Sequence, residues 1–438
     1  MLTIRRTVAA WVAAVAVVGL SLAGAGLAAA ATTERVDVTS SGRQSTGYEH
    51  STAISADGRY VAFTSSAPDL VPGNDNSGDL FQVYVRDRKL NRTEQVSVSP
   101  TGAPGRTDSL NPVISADGRY VAFSSRAENL VPGESGIREQ VYVRDLKLDK
   151  TTEVSVSSGG EIPNHQSFSP VISANGRYIA FDSQASNLVH RDRNGTEDVF
   201  VRDQKLGTTK LVSVSGKRHQ ANRPSFTGGI SPNGRYVAFD SAAGNLVKHD
   251  TNREVDVFVR DRKRHETKRV SVSSSGKQGN GESFGGAMSA DGRYVVFDSG
   301  SRNLVNHDTN KKDDVFVRDR KLHTTRRLSV SSRGRQGDKA SFGPEISADG
   351  RYIAFASDAT NLVSRDTNKD TDVFVRDRKH HATKRVSVSA AGKQGKGDSD
   401  LSSISADGSW VAFVSKAANL VPEDTNGTPD VFVRGPLP

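Results

Sequence analysis

A ten-residue phrase recurs seven times along the 438-residue chain, and this repetition constrains the fold more than any other feature. The phrase reads ISADGRYVAF from residues 54 and 114, and its last copy, ISADGSWVAF, begins at residue 404. Successive copies lie 60 residues apart once and 58 residues apart five times. A fixed period of this kind indicates one supersecondary unit used seven times, so the chain length does not imply several unrelated domains.

Each repeat reads as four short β-strands. The first strand ends at the Ile-Ser of the phrase, and an Asp-Gly or Asn-Gly pair then marks a tight hairpin turn. RYVAF begins the second strand, DVFVRD forms the third at 256–261 and 314–319, and RVSVS forms the fourth at 269–273 and 385–389. These runs are rich in Val, Ile, Phe and Tyr and are almost continuously apolar, so both sheet faces are expected to be covered.

Seven such units predict an all-β fold, a seven-bladed β-propeller of four-stranded antiparallel blades. The two ends of the repeat array complement each other: TERVDVTSSG at 33–42 matches a fourth strand, whereas the last repeat stops at DVFVRGPLP without one. We therefore predict that the N-terminal strand, residues 35–39, completes the last blade. Closing the ring in this way removes the free sheet edges that invite aggregation.

The first 31 residues are predicted to be a signal peptide rather than part of the propeller. Arg5 and Arg6 precede an apolar run, and LAAAA ending at Ala31 is typical of a cleavage site. An uncleaved anchor is the alternative, because the apolar stretch is long enough to span a bilayer. We expect cleavage and a secreted chain, extracellular or periplasmic, whose single domain at 32–438 has no membrane span and is a monomer. The absence of Cys excludes disulfides and thiolate metal sites.

The repeats resemble the WD40-like (PD40) repeats of the TolB-type β-propellers. The hallmark of that family is a Ser-Pro-Asp-Gly turn leading into an Ile-Ala-Phe strand, which corresponds here to Ser55–Gly58 before Val61–Phe63 and to Ser231–Gly234 before Val237–Phe239. The resemblance covers residues 33–438 and implies the propeller fold. TolB itself joins an α/β domain to six blades, and similar propellers precede peptidase domains of the prolyl-oligopeptidase type. Neither arrangement is expected here, so the partners of TolB are not carried over.

Strand order assigns the loops to two faces of the expected ring. The Asp-Gly turns and the RDRK connections, such as 260–263 and 376–379, lie on one face, called here the hairpin face. The longer links that follow the second and fourth strands, such as 242–256 and 274–283, lie on the opposite, long-loop face, where we expect a partner to dock. The RDRK clusters could attract acidic polymers, but an Asp follows the first Arg, and solvated charge is the favoured interpretation.

A polar motif precedes the third strand in five repeats. Its Asp, Asn and Asp stand at positions 1, 3 and 7 of the loop, where oxygen ligands could converge on Ca²⁺, the one candidate cofactor. Ca²⁺ takes about 6–8 oxygens, and the loop lacks the further acids of an EF-hand. Asx-turns leading the backbone into the third strand are the alternative, which we favour. The candidate metal-binding residues are Asp192, Asn194, Asp198, Asp250, Asn252, Asp256, Asp308, Asn310, Asp314, Asp366, Asn368, Asp372, Asp424, Asn426 and Asp430.

The sequence favours a binding or scaffold module over an enzyme. It contains no G-x-S-x-G, H-E-x-x-H or P-loop motif, and no residue is assigned a catalytic role. The expected partner is another protein or an anionic cell-envelope polymer, since the mature chain carries 57 Lys and Arg against 50 Asp and Glu. Nucleic acid is not expected, because the loops lack aromatic residues that stack on bases.

The alternative function is an extracellular glycan-acting hydrolase with its site at the mouth of the central channel. A binding ring is expected to have a rather symmetric mouth. An enzyme is expected to have one asymmetric pocket that contains two or more carboxyl groups with shifted pKa values.

Overall fold

The computed structural model describes residues 30–73, 80–133 and 138–437, in which 28 strands form seven antiparallel sheets of four. The predicted signal peptide lies outside the described residues except for Ala30 and Ala31. Each sheet is one blade of a propeller: blades 1 to 6 contain β2–β5, β6–β9, β10–β13, β14–β17, β18–β21 and β22–β25, and blade 7 contains β26–β28 and β1. The described chain contains no helix that is long and apolar enough to cross a membrane. The predicted seven-bladed propeller is confirmed.

The first strand of each blade contacts the first strands of both neighbouring blades in a closed ring, so these strands line the central channel. In the order of the blades they are β2 Glu49–Ile54, β6 Ser109–Ile114, β10 Ser167–Ile172, β14 Ser225–Ile230, β18 Ser283–Met288, β22 Ser341–Ile346 and β26 Ser399–Ile404.

The second and third strands form the buried middle of each blade, as their continuous apolar runs predict. The second strands are β3 Tyr60–Ser65, β7 Tyr120–Ser125, β11 Tyr178–Ser183, β15 Tyr236–Ser241, β19 Tyr294–Ser299, β23 Tyr352–Ser357 and β27 Val411–Ser415. The third strands are β4 Gln82–Asp87, β8 Gln140–Asp145, β12 Asp198–Asp203, β16 Asp256–Asp261, β20 Asp314–Asp319, β24 Asp372–Asp377 and β28 Asp430–Gly435.

The fourth strands are polar and form the outer rim of the ring. They are β5 Arg92–Gln95, β9 Lys150–Glu153, β13 Thr208–Leu211, β17 Glu266–Arg269, β21 Thr324–Arg327, β25 Ala382–Arg385 and, for blade 7, β1 Thr32–Arg35. Strand β1 pairs antiparallel with β28, and Glu34 lies opposite Val433. The predicted closure of the ring by the N-terminal strand is therefore confirmed.

The positions of the fourth strands correct the sequence interpretation. The strand that closes the ring is Thr32–Arg35 rather than residues 35–39, and β17 is Glu266–Arg269 rather than 269–273. The apolar VSV segment that follows is buried because it leaves the ladder and crosses toward the next blade, with Val272 bridging to Gln278. The outer strand itself keeps polar residues because one of its faces meets solvent.

The hydrophobic core lies between neighbouring blades. Phe239 and Phe258 of blade 4 are fully buried, and their rings stack with centroids 5.7 Å apart. They pack against Ala180, Val199 and Val201 of blade 3. An equivalent aromatic pair lies in every blade, stacked in six blades and tilted in blade 2, so seven similar interfaces hold the ring at a fixed geometry.

Candidate binding site at the channel mouth

The Asp-x-Asn loops lie on the long-loop face, and in most of them an arginine joins the two aspartates. In blade 4, Nη1 of Arg269 lies 3.2 Å from Oδ1 of Asp250 and 2.9 Å from Oδ2 of Asp256. Nδ2 of Asn252 donates hydrogen bonds to Oδ2 of Asp256 and to the carbonyl of Gly279. The motif thus fastens the loop to the fourth strand by an ion pair with supporting hydrogen bonds.

The same ion pair recurs wherever the repeat keeps both partners. The pairs are Arg327 with Asp308 and Asp314, Arg385 with Asp366 and Asp372, and Arg35 with Asp424 and Asp430. In blades 1 and 2 the third strand begins with Gln82 and Gln140 instead of Asp, and Gln95 and Glu153 replace the arginine. In blades 1 and 2 the acid and the arginine are therefore exchanged together, as expected of residues that act as one structural pair.

Blade 3 keeps both aspartates but has Leu211 at the position of the arginine. Nε2 of Gln220 donates to Asp192 and Asp198 instead, at 2.6 and 2.8 Å. Burial raises the pKa of Asp198 to about 7, and burial also raises the pKa of Asp192. No group of three His, Asp or Glu in the described chain is arranged to hold a metal ion. Calcium binding by the loops stays a prediction. In blade 3 a calcium ion would not have to displace a guanidinium from the two aspartates, because Leu211 stands in place of the arginine.

Leu211→Arg is expected to increase the free energy of unfolding by about 1–3 kcal/mol at pH 8 and by less at pH 5. The pKa of Asp198 is about 7 in the folded chain and about 4 when unfolded, so stability is lost as the pH rises between these values. An arginine would pair with Asp192 and Asp198 and remove this loss. Thermal unfolding at both pH values measures the effect.

Leu206→Arg is the matched control, because Leu206 lies in the same blade and is 65% exposed. It is expected to change stability little at either pH. A gain for Leu211→Arg that is equal at pH 5 and pH 8, or no gain, would contradict the ion-pair interpretation.

On the hairpin face, the arginine and aspartate that end the third strand are bound within the fold. Arg260 of blade 4 is 4% exposed, and its Nη1 donates to the carbonyl of Ser215, in the link from blade 3, at 3.0 Å. Asp261 accepts two hydrogen bonds from Arg235, at 3.1 and 2.7 Å. The hydrogen bonds from Arg235 contribute to holding the pKa of Asp261 below its usual value, against the opposing effect of burial.

The second arginine of RDR joins neighbouring blades. The guanidinium of Arg262 in blade 4 lies 4.7 Å from the ring centroid of Tyr178 in blade 3, and it donates to the carbonyl of Gly234. The same stacking joins Arg320 to Tyr236, Arg378 to Tyr294 and Arg88 to Trp410. These arginines therefore have partners inside the ring, which supports a structural role for the RDRK clusters over capture of an acidic polymer.

The channel mouth on the long-loop face is formed by the second residue of each first strand. From blade 1 to blade 7 these residues are His50, Leu110, Phe168, Phe226, Phe284, Phe342 and Asp400. Phe226 is 39% and Phe284 is 42% exposed, although both are large apolar side chains. The mouth is therefore asymmetric, with four consecutive phenylalanines in blades 3 to 6.

Three aspartates of the second strands stand beside these phenylalanines. Asp182, Asp240 and Asp298 pair in register with Phe168, Phe226 and Phe284. Asp182 and Asp298 each accept a backbone hydrogen bond from the next blade, from Thr227 and Gly343, and the backbone of Gly285 in the next blade lowers the pKa of Asp240 against the effect of burial. Each aspartate therefore lies between the phenylalanine of its own blade and that of the next. We call these three spaces the first, second and third slots, after Asp182, Asp240 and Asp298.

A side chain fills the first slot, whereas glycines stand at the equivalent positions of the second and third. In the first slot, Thr227 donates both its backbone N–H and its hydroxyl to Asp182. The residues at the position of Thr227 in the next two blades are Gly285 and Gly343, which have no side chain to offer. A Cβ atom at Gly285 would meet no atom closer than 4.0 Å, and one at Gly343 would meet none within 4 Å.

The carboxyl groups of the slots are desolvated and surrounded by negative charge. Burial raises the pKa of Asp182 to about 7 and that of Asp298 to about 6. Burial, with the charges of Asp182 and Asp298, raises the pKa of Asp240 well above its usual value. Burial also raises the pKa of Glu345, on the first strand of blade 6, to about 7. No basic side chain of the described residues is among the groups that act on these four carboxyls.

Sequence reasoning missed this site, although the repeats contained a signal for it. The Phe that ends the phrase is followed directly by Asp only in three consecutive repeats, which read AFDS or VFDS. The other four repeats have Thr64, Ser124, Ala356 and Val414 at that position. A break in repeat symmetry confined to adjacent blades indicates a local function more directly than the motif shared by five blades.

Comparison with known proteins supports the fold. No family model matches the chain, and no curated protein matches it. The β-propeller domain of the Trilobed protease from Pyrococcus furiosus is similar, with a TM-score of 0.54 and 12% identity over 89% of this chain and 93% of that chain. An oligogalacturonate lyase in complex with manganese has a TM-score of 0.53 and 12% identity over 93% and 91%.

A putative TolB from Agrobacterium tumefaciens is 16% identical over 79% of this chain and 94% of that chain, with a TM-score of 0.42. At these identities the structures show the β-propeller fold alone, and membership of the PD40 repeats stays a resemblance. The likeness to a lyase and to a protease domain shows the fold alone, so it does not decide between binding and catalysis.

Proposed function

We propose that this chain is a secreted binding module whose partner is a protein docked on the long-loop face, over the channel mouth. The observation that carries the proposal is the row of four phenylalanines at the mouth in blades 3 to 6, of which Phe226 is 39% and Phe284 is 42% exposed. Large apolar side chains grouped at one place on a solvent-exposed surface are typical of protein-binding sites.

The chemistry of the mouth favours a protein over an anionic polymer. The slots and Glu345 contribute four carboxyl groups that have no basic partner in the described chain. An anionic polymer would be repelled from this arc of the mouth. The arginines of the hairpin face, which could attract such a polymer, are engaged between blades.

The asymmetry of the mouth also favours the second candidate, a glycan-acting hydrolase, because carboxyl groups with raised pKa values are the groups that such an enzyme uses. One observation places it behind the binding module. Asp182 is 2% exposed and is hydrogen-bonded to Thr227, so its carboxyl is not open to a substrate. Cleavage of a glycan that is lost in Asp298→Asn would reverse this order.

Site-specific photo-crosslinking tests the proposed function. A photoreactive phenylalanine analogue at position 284 is expected to crosslink to one discrete protein in the cell-envelope fraction, and Phe226→Ala should reduce the yield several-fold. The matched control carries the analogue at position 148 on the hairpin face, where Leu148 is 64% exposed. Equal crosslinking from both positions, or none from position 284, would contradict docking at the mouth.

A further inference from the structure

We propose that the second and third slots each receive a basic side chain, Lys or Arg, of the partner protein. The inference rests on the proposed function and gives the chemical class that the channel mouth recognises. It starts from Asp240, which is 8% exposed and whose Oδ1 has no hydrogen-bond partner among the described residues. A buried carboxyl oxygen without a hydrogen-bond partner costs free energy. A cationic group from a partner protein would offset this cost by donating a hydrogen bond to it.

The residues around Asp240 suit a basic side chain. Phe226 pairs in register with Asp240, and Phe284 stands at the equivalent position of the next blade, so the two rings would cover the aliphatic stem and the charged head through apolar and cation–π contacts. The base is the carboxyl of Asp240, which would accept charge-assisted hydrogen bonds. Gly285 has no side chain at the position of Thr227, whose hydroxyl is hydrogen-bonded to Asp182.

The third slot repeats this arrangement one blade further. Asp298 lies between Phe284 and Phe342, and its Oδ1 accepts only a long hydrogen bond of 3.2 Å from Gly343. The second and third slots are neighbours, with Phe284 between them. This arrangement suits an extended peptide segment that carries two basic residues. A metal ion is a poorer match, because no three acidic or His groups of the described chain are arranged to hold one.

The internal repeats provide a comparison for the missing cation. The aspartate pairs of the long loops in blades 4 to 7 have an arginine from the fourth strand. The slot carboxyls have none, in a chain with 59 Lys and Arg. In the long loops of blades 4 to 7 the chain itself therefore supplies the cation, whereas at the slots a partner would supply it.

The test is calorimetric titration of the mature protein with three pentapeptides that differ only in the central residue: lysine, arginine or the uncharged norleucine. The lysine and arginine peptides are expected to bind at least 10-fold more tightly than the norleucine peptide, and more weakly as salt is raised. Asp240→Asn and Asp298→Asn should each weaken binding of the lysine peptide at least 5-fold. Glu266→Gln, which removes one charge from the outer strand of blade 4, is the matched control and should leave binding unchanged.

Asp240→Asn keeps the shape of the side chain and removes an unpaired buried charge, so folding should be retained, and thermal unfolding checks this. Phe284→Ala, at a 42% exposed position, is a second variant that should weaken binding at both slots. Equal binding of the three peptides, no binding, or binding unchanged by Asp240→Asn and Asp298→Asn would overturn the recognition of a basic side chain. Crosslinking from position 284 would persist in that case if the mouth still binds a protein, so the two failures can be told apart.

Discussion

The Asp37→Ser, Glu49→Ser double variant is expected to be about 2–4 kcal/mol more stable than the native chain at pH 8, with a much smaller difference at pH 4. Both acids lie where the closing strand and blade 1 meet blade 7, close to Asp430. Asp37 and Asp430 are fully buried, and Glu49 is 5% exposed. Three buried carboxyl groups in one place are unfavourable when ionised.

The other six blades have serine at the positions of Asp37 and Glu49, so they show which hydrogen bonds a serine makes there. At the position of Asp37 they have Ser97, Ser155, Ser213, Ser271, Ser329 and Ser387, and at that of Glu49 they have Ser109, Ser167, Ser225, Ser283, Ser341 and Ser399. In blade 4, the hydroxyl of Ser271 accepts from the backbone N–H of Val257 and donates to Asp256. Asp37 also accepts a backbone hydrogen bond, from Val431 at 2.9 Å, but it can donate to Asp430 only when protonated.

The pH dependence follows from the direction of the pKa shifts. Burial, reinforced by the neighbouring carboxyls, raises the pKa of Asp37 well above its usual value. Burial likewise raises the pKa of Glu49, against the hydrogen bond from Ser65. The folded chain therefore holds protons that the unfolded chain releases, and native stability falls as the pH rises above about 4. The double variant lacks these groups and should not show this part of the decrease.

Thermal unfolding between pH 4 and pH 9 measures the difference. The reciprocal variant Ser271→Asp places the acid in blade 4, beside Asp256, and is expected to lose stability as the pH rises. The same pH dependence in the native chain and in the double variant would show that the two acids do not control it.

Phe239→Ala is expected to cost about 3–5 kcal/mol of unfolding free energy, because it leaves a cavity between blades 3 and 4. Phe239 is fully buried and stacks on Phe258. Phe226→Ala, the same substitution in the first strand of the same blade, should cost less than about 1 kcal/mol, since Phe226 is 39% exposed at the channel mouth. Chemical denaturation of both variants compares the two positions. Equal losses would mean that Phe226 belongs to the core, which would weaken its assignment to the binding site.

The repeat period and the strand composition were sufficient to predict the fold. The third strands were predicted to the residue, at 256–261 and 314–319, because apolar runs bounded by Asp are unambiguous. The fourth strands were placed about four residues too late, because the apolar VSV segment looked more like a strand than the polar residues before it. Burial between blades, rather than pairing in a sheet, explains that segment.

The site was less accessible to sequence reasoning because it depends on contacts between strands. The Asp-x-Asn pattern indicates a turn or a calcium site, and nothing in its spacing points to Arg269 as its partner. Antiparallel pairing places Arg269 opposite Phe258, two residues from Asp256, so the arginine reaches the loop. The slots require, in addition, that residues of three neighbouring blades lie at one level around the channel, which a linear pattern does not show.

The pairing of β1 with β28 has a consequence for the synthesis of the chain. Most fourth strands follow their third strand after a turn of a few residues, so they meet it as soon as both have left the ribosome. Strand β1 is synthesised first, and Arg35 cannot pair with Asp430 until a further 395 residues have been added to the chain. A nascent chain interrupted in any repeat keeps both an unpaired first strand and an exposed sheet edge, which proteases and aggregation exploit. Only a chain that contains both β1 and β28 can close the ring, so a truncated chain exposes the sheet edge that a closed ring protects.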